Sequence, residues 1–186
     1  SVYNKGCIGL GCYSPKTNKE AYSAWFGLID RCYGRKSKYP TYKDVTVCED
    51  WLNFQNFAQW YESQNFCKIK DDRGNLYHLD KDLLTSESKE YSPKSCCLLP
   101  QEINNRIKGK KFGNSYIRKV KNSWIAETSR FGKSLYIGSY STKEEALLAY
   151  KTTKESCIKE VAEKWKGKID DKVHEALMNW EVDVDN

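Results

Sequence analysis

Apolar residues in the first third of the chain repeat with the period of an α-helix. Within residues 19–35 they follow the spacing i, i+3, i+4 and i+7, which defines one face of an amphipathic helix: Trp25, Leu28, Ile29 and Cys32. Gly34 is placed to end this helix. A second helix is predicted over residues 51–63, with Asp50 as its N-cap. Aromatic residues cover most of its circumference, which favours packing in a core over stacking on bases.

The middle of the chain changes to short alternating segments. Two strands are predicted, over residues 76–80 and 96–99, with a polar loop between them. Pro100 closes the second strand, and the residues from Gln101 onward are compatible with a helix. Strand, loop, strand and helix start therefore follow one another in the order of a ββα metal finger.

The C-terminal part is predicted to form a second module. Three strands are expected over residues 116–120, 124–129 and 135–140, followed by a long helix capped by Ser141 or Thr142. A three-stranded sheet that packs on one helix leaves its other face free. The predicted fold class is α+β: a helical N-terminal region, a ββα unit, then a three-stranded antiparallel sheet on one helix.

Composition places the chain among ordinary folded proteins. Its 186 residues include 39% hydrophobic ones, enough to bury a core, and carry a net charge of +6. No apolar run is long enough to cross a membrane, and the first residues lack the apolar segment of a signal peptide. We therefore expect a soluble protein of the cytoplasm without membrane contact.

The positive charge is concentrated in one region. Residues 105–172 hold 17 basic and eight acidic side chains, a net charge of +9, whereas residues 173–186 hold four acidic and no basic ones. A basic stretch of this size, followed by a short acidic tail, usually marks a surface that binds a polyanion. A solvated, lysine-rich helix face is the alternative.

The eight cysteines predict neither disulfides nor a metal site. Without an export signal, reduced thiols in the core are the better expectation. Cys7 and Cys12 lack the spacing of a zinc knuckle and have no histidine near them, and the neighbours Cys96 and Cys97 would point to opposite faces of a strand. No structural zinc is expected.

Two segments of the middle region resemble a known nuclease family. Residues 79–82 are Leu-Asp-Lys-Asp, and residues 95–104 are Ser-Cys-Cys-Leu-Leu-Pro-Gln-Glu-Ile-Asn. They are similar to the HNH motif of phage homing endonucleases, and residues 31–33 and 47–51 resemble the region that precedes the motif in those proteins. The resemblance implies an HNH-like domain over residues 1–108 that binds Mg²⁺ or Mn²⁺ through Asp80 and Asn104, whose hard oxygens suit such ions.

The sequence departs from that family at the general base. The family has a histidine directly after the aspartate, where this chain has Lys81. Imidazole titrates near neutral pH, whereas an ordinary ammonium stays protonated. Three alternatives remain: Lys81 made neutral by burial acts as the base, His78 reaches the site from the same strand face as Asp80, or the centre is inactive.

A third segment resembles a DNA-binding family. Residues 116–119, 124–127, 135–146 and 149–150 are similar to the APETALA2-type domain, which is also found fused to phage HNH nucleases. The resemblance implies an APETALA2-type domain over residues 109–186, with an acidic C-terminal tail, that reads the major groove with its free sheet face. Carried over by position, the sheet residues that would face DNA are Arg118, Lys119, Trp124, Glu127 and Tyr136. The turn residues that would contact phosphates are Lys121, Arg130 and Lys133, and the linker of residues 108–113 could follow the DNA backbone.

The leading hypothesis is a phage-type, monomeric protein that binds double-stranded DNA and nicks it, as one HNH site usually cuts one strand. Its compartment would be the host cytoplasm. The alternative is an inactive derivative that binds DNA or a host protein as a regulator or anti-defence factor. It is motivated by Lys81 and by a reduced set of arginines on the sheet, since Val120 and Ser129 stand where some family members have arginine. Tyr136 replaces a family tryptophan.

Overall fold

The computed structural model describes residues 1–34, 39–85, 88–107, 116–130 and 132–182. The chain divides into two compact units: Ser1–Asn104 with Lys168–Val173, and Asn105–Gly167 with His174–Asn186. Both contain helices and small sheets, which confirms the α+β class. Within the described ranges, no helix is both long and apolar enough to span a bilayer. The linker of residues 108–113 lies outside the described residues.

The first unit combines helices with two small sheets. Its helices are α1 (Lys19–Tyr33), α2 (Glu49–Leu52), α3 (Phe54–Glu62) and the start of α4 (Gln101–Ile107), and a short 3₁₀ helix spans Pro40–Tyr42. Its strands are β1 (Thr46–Val47), β2 (His78–Asp80), β3 (Glu90–Tyr91) and β4 (Cys97–Leu99). β1 pairs with β3 in parallel, and β2 pairs with β4 in antiparallel.

Helix α1 ends where the sequence predicts. The backbone N–H of Gly34 donates to the carbonyl of Asp30 over 2.9 Å and caps the helix. Trp25, Leu28 and Ile29 are fully buried, as their spacing indicates. The indole N–H of Trp25 donates to the carbonyl of Trp51 over 2.7 Å, so the main polar group of this core is satisfied.

The predicted second helix is broken into two. Asp50 is not its N-cap: α2 begins one residue earlier, and Asn53 caps α3 by accepting a hydrogen bond from the backbone N–H of Gln55. The break has a non-local cause. The N–H of Cys7 donates to the carbonyl of Leu52, and the N–H of Phe54 donates to the carbonyl of Cys7, each over 2.8 Å. An N-terminal segment thus takes backbone groups that a continuous helix would need.

The aromatic residues of this region form a core, as the sequence predicts. Trp51, Phe54, Phe57 and Tyr61 are buried, and the Trp51 and Phe57 rings meet edge to face with centroids 5.0 Å apart. The eight cysteines are all free thiols, but they do not all lie in the core. Four are buried, whereas Cys7 and Cys12 are exposed.

The second unit is a three-stranded antiparallel sheet with helices. The strands are β5 (Ile117–Val120), β6 (Ser123–Arg130) and β7 (Lys133–Tyr140), and they pair in that order. Helix α5 (Lys143–Lys164) packs on β6 and β7. Thr142 caps it, because its hydroxyl accepts from the N–H of Glu145 while the Glu145 carboxylate accepts from the N–H of Thr142. The predicted strands and helix start are confirmed to within two residues.

The segment expected to be an acidic tail is partly helical. Helix α6 spans Asp171–Met178, and Val173, Leu177, Trp180 and Val182 are buried. The N–H of Val182 donates to the Glu155 carboxylate on α5 over 2.9 Å. The apolar residues that alternate with the acids are therefore packed against the protein. The net charge of the segment does not reveal these apolar positions.

One cation is buried in the second unit without a counter-charge. Lys154 of α5 is only 5% exposed, and in the described part of the chain no carboxylate or hydrogen-bond acceptor contacts its ammonium. Burial and, less strongly, the nearby Arg106 guanidinium lower the Lys154 pKa. Because partial removal of a cation from water without an opposite charge costs folding free energy, we expect Lys154 to lower the stability of the unit.

Replacing Lys154 by methionine should therefore stabilise the protein. We expect the free energy of unfolding at pH 7 to rise by on the order of 1 kcal/mol, or the Tm by about 2–4 °C. The folded-state pKa is lowered, so the cost is fully present below that pKa and disappears as pH rises toward the unfolded value. The gain of Lys154→Met should thus shrink between pH 7 and pH 10, as thermal unfolding at both pH values would show.

Lys159→Met, at an exposed position of the same helix, is the control and should change the Tm little. A Lys154→Met protein that is less stable than the parent at pH 7 would contradict this account.

Candidate functional site

The β2–β4 hairpin and α4 position the residues of the candidate metal site. Asp80 ends β2 and lies opposite Cys97 of β4. β4 leads through Pro100 directly into α4, where the N–H of Asn104 donates to the Pro100 carbonyl over 3.0 Å in the first helical turn. The order of strand, strand and helix is as predicted, with β3 inserted in the connecting loop.

The Asp80 carboxylate is fixed at one oxygen. Its Oδ1 accepts hydrogen bonds from the backbone N–H groups of Asp82 and Leu83, over 3.0 and 2.9 Å. In the described residues Oδ2 accepts no hydrogen bond. Burial raises the Asp80 pKa, and the nearby Asp82 charge adds to the effect, although the two N–H donors oppose it. The site thus holds a partly desolvated carboxylate whose second oxygen is available to a cation.

Lys81 is held by its own loop. It is only 8% exposed, and its ammonium donates to the Ser88 carbonyl over 2.9 Å, pairs with the Asp82 carboxylate and lies 5.8 Å from the centre of the Tyr91 ring. These three contacts fix the position of the ammonium group. Lys81 therefore serves as a hydrogen-bond donor that ties the end of β2 to Asp82 and Ser88.

His78 lies on the strand that Asp80 ends, and Asn104 lies on the helix that follows β4. His78 begins β2, is exposed, and shares a strand face with Asp80 because residues i and i+2 point the same way. Asn104 is half-buried on α4, and its side-chain amide makes no hydrogen bond to any residue that the structure describes. No hydrogen bond joins Asp80 to Asn104 in the same ranges.

The donor set fits a magnesium-type ion better than a structural metal. Among the described residues, no group of three or more His, Cys, Asp or Glu side chains could hold a metal. A single carboxylate oxygen and one amide oxygen suit Mg²⁺, which keeps several waters and usually takes its remaining ligands from a phosphate. Asp80 and Asn104 are the residues that would hold it.

In the second unit, three of the predicted DNA contacts share the open face of the sheet. Arg118 lies opposite Ile125 and next to Glu127, and its guanidinium meets the Glu127 carboxylate over 3.2 Å. Tyr136 lies opposite Glu127 across β6 and β7 and is 58% exposed. Ala126 and Thr128, which alternate with these residues on β6, are buried toward α5.

Lys119 and Trp124 lie on the other face. They are direct partners in the β5–β6 register. The neighbouring pair, Arg118 and Ile125, points to the open face, so Lys119 and Trp124 point to the opposite one. The Trp124 ring is flanked by two ammonium groups, those of Lys119 at 5.9 Å and Lys143 at 6.0 Å. The structure therefore does not bring all five predicted sheet residues onto one surface, and it adds Lys143 from the start of α5.

The three turn residues differ in how available they are. Lys121 and Lys133 are exposed, and Lys121 adopts a φ of 53° in the left-handed region at the tip of the β5–β6 turn. Arg130 instead makes two hydrogen bonds of 2.9 Å to the Glu160 carboxylate on α5. Its guanidinium is engaged within the unit, so it is the weakest of the predicted phosphate contacts.

Comparison of the chain with models of protein families, with curated proteins and with solved structures finds no match. The chemistry of the residues themselves is therefore what points to a function.

Proposed function

We propose that the protein binds double-stranded DNA through its second unit and nicks it at a divalent-metal centre formed by Asp80 and Asn104. The observation that carries the proposal is the Asp80 carboxylate, which folding desolvates and orients with one oxygen left open. A carboxylate kept at a cost in stability is typical of a functional site. The resemblance to the HNH motif supports the same residues.

Each residue of the proposed centre has a distinct role. Asp80 Oδ2 and the Asn104 amide oxygen would hold Mg²⁺ or Mn²⁺, which would stabilise the negative charge that develops on a scissile phosphate. The backbone N–H groups of Asp82 and Leu83 fix the Asp80 carboxylate. His78, exposed on the same strand face, is the best-placed general base for a water molecule. Lys81 holds the loop that supplies those N–H groups.

The second unit supplies the features expected of a DNA-docking surface. Residues 105–167 of this unit carry a net charge of +9, and its residues 174–186 carry −4. The open sheet face combines Arg118 with the exposed Tyr136 ring. The ion pair with Glu127 orients the Arg118 guanidinium and offsets part of its positive charge. We therefore expect this face to make only a few contacts to base edges or phosphates. Lys121 and Lys133 at the turns would add contacts to phosphates.

A second candidate function is DNA binding without cleavage. The observation that favours it is the engagement of Lys81 with Ser88 and Asp82, because it removes the residue at the family's general-base position from catalysis. In that case the protein would act as a regulator or anti-defence factor on DNA or on a host protein. The choice between the two functions depends on whether His78 can replace the missing base.

Cleavage can be tested on supercoiled plasmid. With Mg²⁺ or Mn²⁺ we expect conversion to the nicked circle, lost in Asn104→Ala and reduced about 100-fold or more in His78→Ala, the usual size of a general-base effect. Lys81→Met should lower the Tm but should change the nicking rate per folded molecule only slightly. No nicking above the Asn104→Ala background, by a protein that still binds DNA, would leave the second candidate function in place of the first.

DNA binding can be tested by titrating a duplex at several salt concentrations. Affinity should fall steeply with salt, and Arg118→Ala should weaken binding and reduce the salt slope by about one. Glu127→Gln should strengthen binding, because it releases the Arg118 guanidinium from its ion pair. Lys159→Ala removes the same charge from an exposed position of α5 away from the sheet. If Arg118→Ala and Lys159→Ala weakened binding equally, the open sheet face would not be the DNA surface.

A further inference from the structure

A groove of about 510 Å³ lies in the first unit beside β2. Its walls come from α1 and from residues 70–79, and Tyr61 of α3 forms part of its lining. This volume falls within the range of small-ligand sites, which is roughly 300–1,000 Å³. The acidic and basic side chains among its lining residues are Glu20, Arg31, Lys70 and His78.

Small side chains on α1 make room for the groove. Ser23 and Ala24 line it, and Gly27 follows one turn later on the same helix face. A Cβ atom at position 27 would lie 3.5 Å from Nη1 of Arg31. The Arg31 guanidinium therefore lies back over Gly27 instead of extending away from the helix.

Arg31 is a cation without an anionic partner. Its guanidinium lies between two tyrosine rings, with centroid distances of 5.9 Å to Tyr42 and 5.8 Å to Tyr91. Its Nε is buried and has no hydrogen-bond acceptor. No carboxylate of the described residues forms an ion pair with it. A guanidinium fixed by rings but short of acceptors is a ready site for a planar or tetrahedral oxyanion.

Arg31, Lys70 and His78 are the basic residues of this lining. His78 begins β2, two residues before Asp80, so a strand rise of about 3.3 Å per residue places the two about 7 Å apart. Lys70 adds an exposed ammonium. Glu20 is the one acid of the lining and lies on the first turn of α1, whereas Arg31 lies near the end of that helix. A negative group is thus attracted to the Arg31 end and repelled from the Glu20 end.

We propose that this groove binds a phosphate group of a DNA strand, with Arg31 as its main ligand and with Lys70 and His78 elsewhere in the same lining. The proposal rests on the proposed function in one respect, the identification of the ligand as DNA. The chemistry alone specifies a phosphate ester of nucleotide size. Bound there, the strand would pass next to Asp80, and Arg31 would act as a positioning residue for the phosphodiester.

The test uses the full-length protein in EDTA, so that binding is separated from metal-dependent cleavage. The probes are inorganic phosphate, thymidine 5′-monophosphate and a 5′-phosphorylated thymidine trinucleotide, each titrated into ¹⁵N-labelled protein. We expect the trinucleotide to bind most tightly and to shift the Nε–Hε signal of Arg31. Arg31→Gln should weaken trinucleotide binding about tenfold. Arg31→Lys should weaken it less, because lysine keeps the charge but lacks the paired, coplanar N–H donors of a guanidinium.

Two further variants keep the test decisive. Lys70→Gln is at an exposed position, so it should fold normally and should weaken trinucleotide binding two- to fivefold, which supports the groove even if Arg31→Gln fails to fold. Lys94→Gln removes the same charge from an exposed position outside the groove and should have no effect. Equal binding by Lys70→Gln and Lys94→Gln, or signal shifts confined to the second unit, would overturn the proposal.

The three probes also separate this proposal from the proposed function. Tightest binding by the monophosphate, or by inorganic phosphate alone, would keep the phosphate site but reject a DNA strand as its ligand. Trinucleotide binding at Arg31 by a protein that does not nick plasmid would support the groove and reject the nuclease. Nicking that is unchanged in Arg31→Lys, with no binding of any probe, would retain the nuclease and reject the groove.

Discussion

The buried ammonium of Lys81 organises the part of the molecule on which the candidate site depends. It joins the end of β2 to the loop at Ser88 and to the Tyr91 ring of β3. The chain between those points supplies the N–H groups of Asp82 and Leu83 that fix the Asp80 carboxylate. Because burying an ammonium without acceptors is costly, Lys81 keeps Ser88 and Asp82 close to the end of β2. The residue that departs most from the HNH pattern thus has a clear structural role.

That role changes how the rest of the site is interpreted. With Lys81 engaged, the proposed chemistry would rest on Asp80, Asn104 and His78. Arg31 is a cation of the groove lining that forms no ion pair with a carboxylate of the described residues. The second unit differs from the first. Its candidate residues are cations spread over the sheet and the start of α5, whereas the candidate site of the first unit is built around one carboxylate, Asp80. Recognition by the second unit and chemistry by the first would be a division of labour, with each unit's residues suited to one task.

Local signals account for what the sequence could predict. The spacing of Trp25, Leu28 and Ile29 defined α1, and Thr142 with Glu145 defined the start of α5, because both depend on residues within one or two turns. The broken helix at Asn53 could not be predicted, since its cause is the backbone of Cys7. The burial of Lys81 was equally hidden, because Tyr91 comes from another strand. The separation of Arg118 from Lys119 could have been foreseen, since adjacent strand residues point to opposite faces.

The central claim is that Asp80 and Asn104 together bind a divalent cation. Its most direct test is the anomalous scattering of Mn²⁺ soaked into crystals of the protein, with Asp80→Asn crystals as the control. The account predicts one peak about 2.1 Å from both Asp80 Oδ2 and the Asn104 amide oxygen, the spacing of a Mg²⁺-type site, and no such peak in the control. An intact structure with no peak at these two oxygens, or with Mn²⁺ bound only elsewhere, would contradict it.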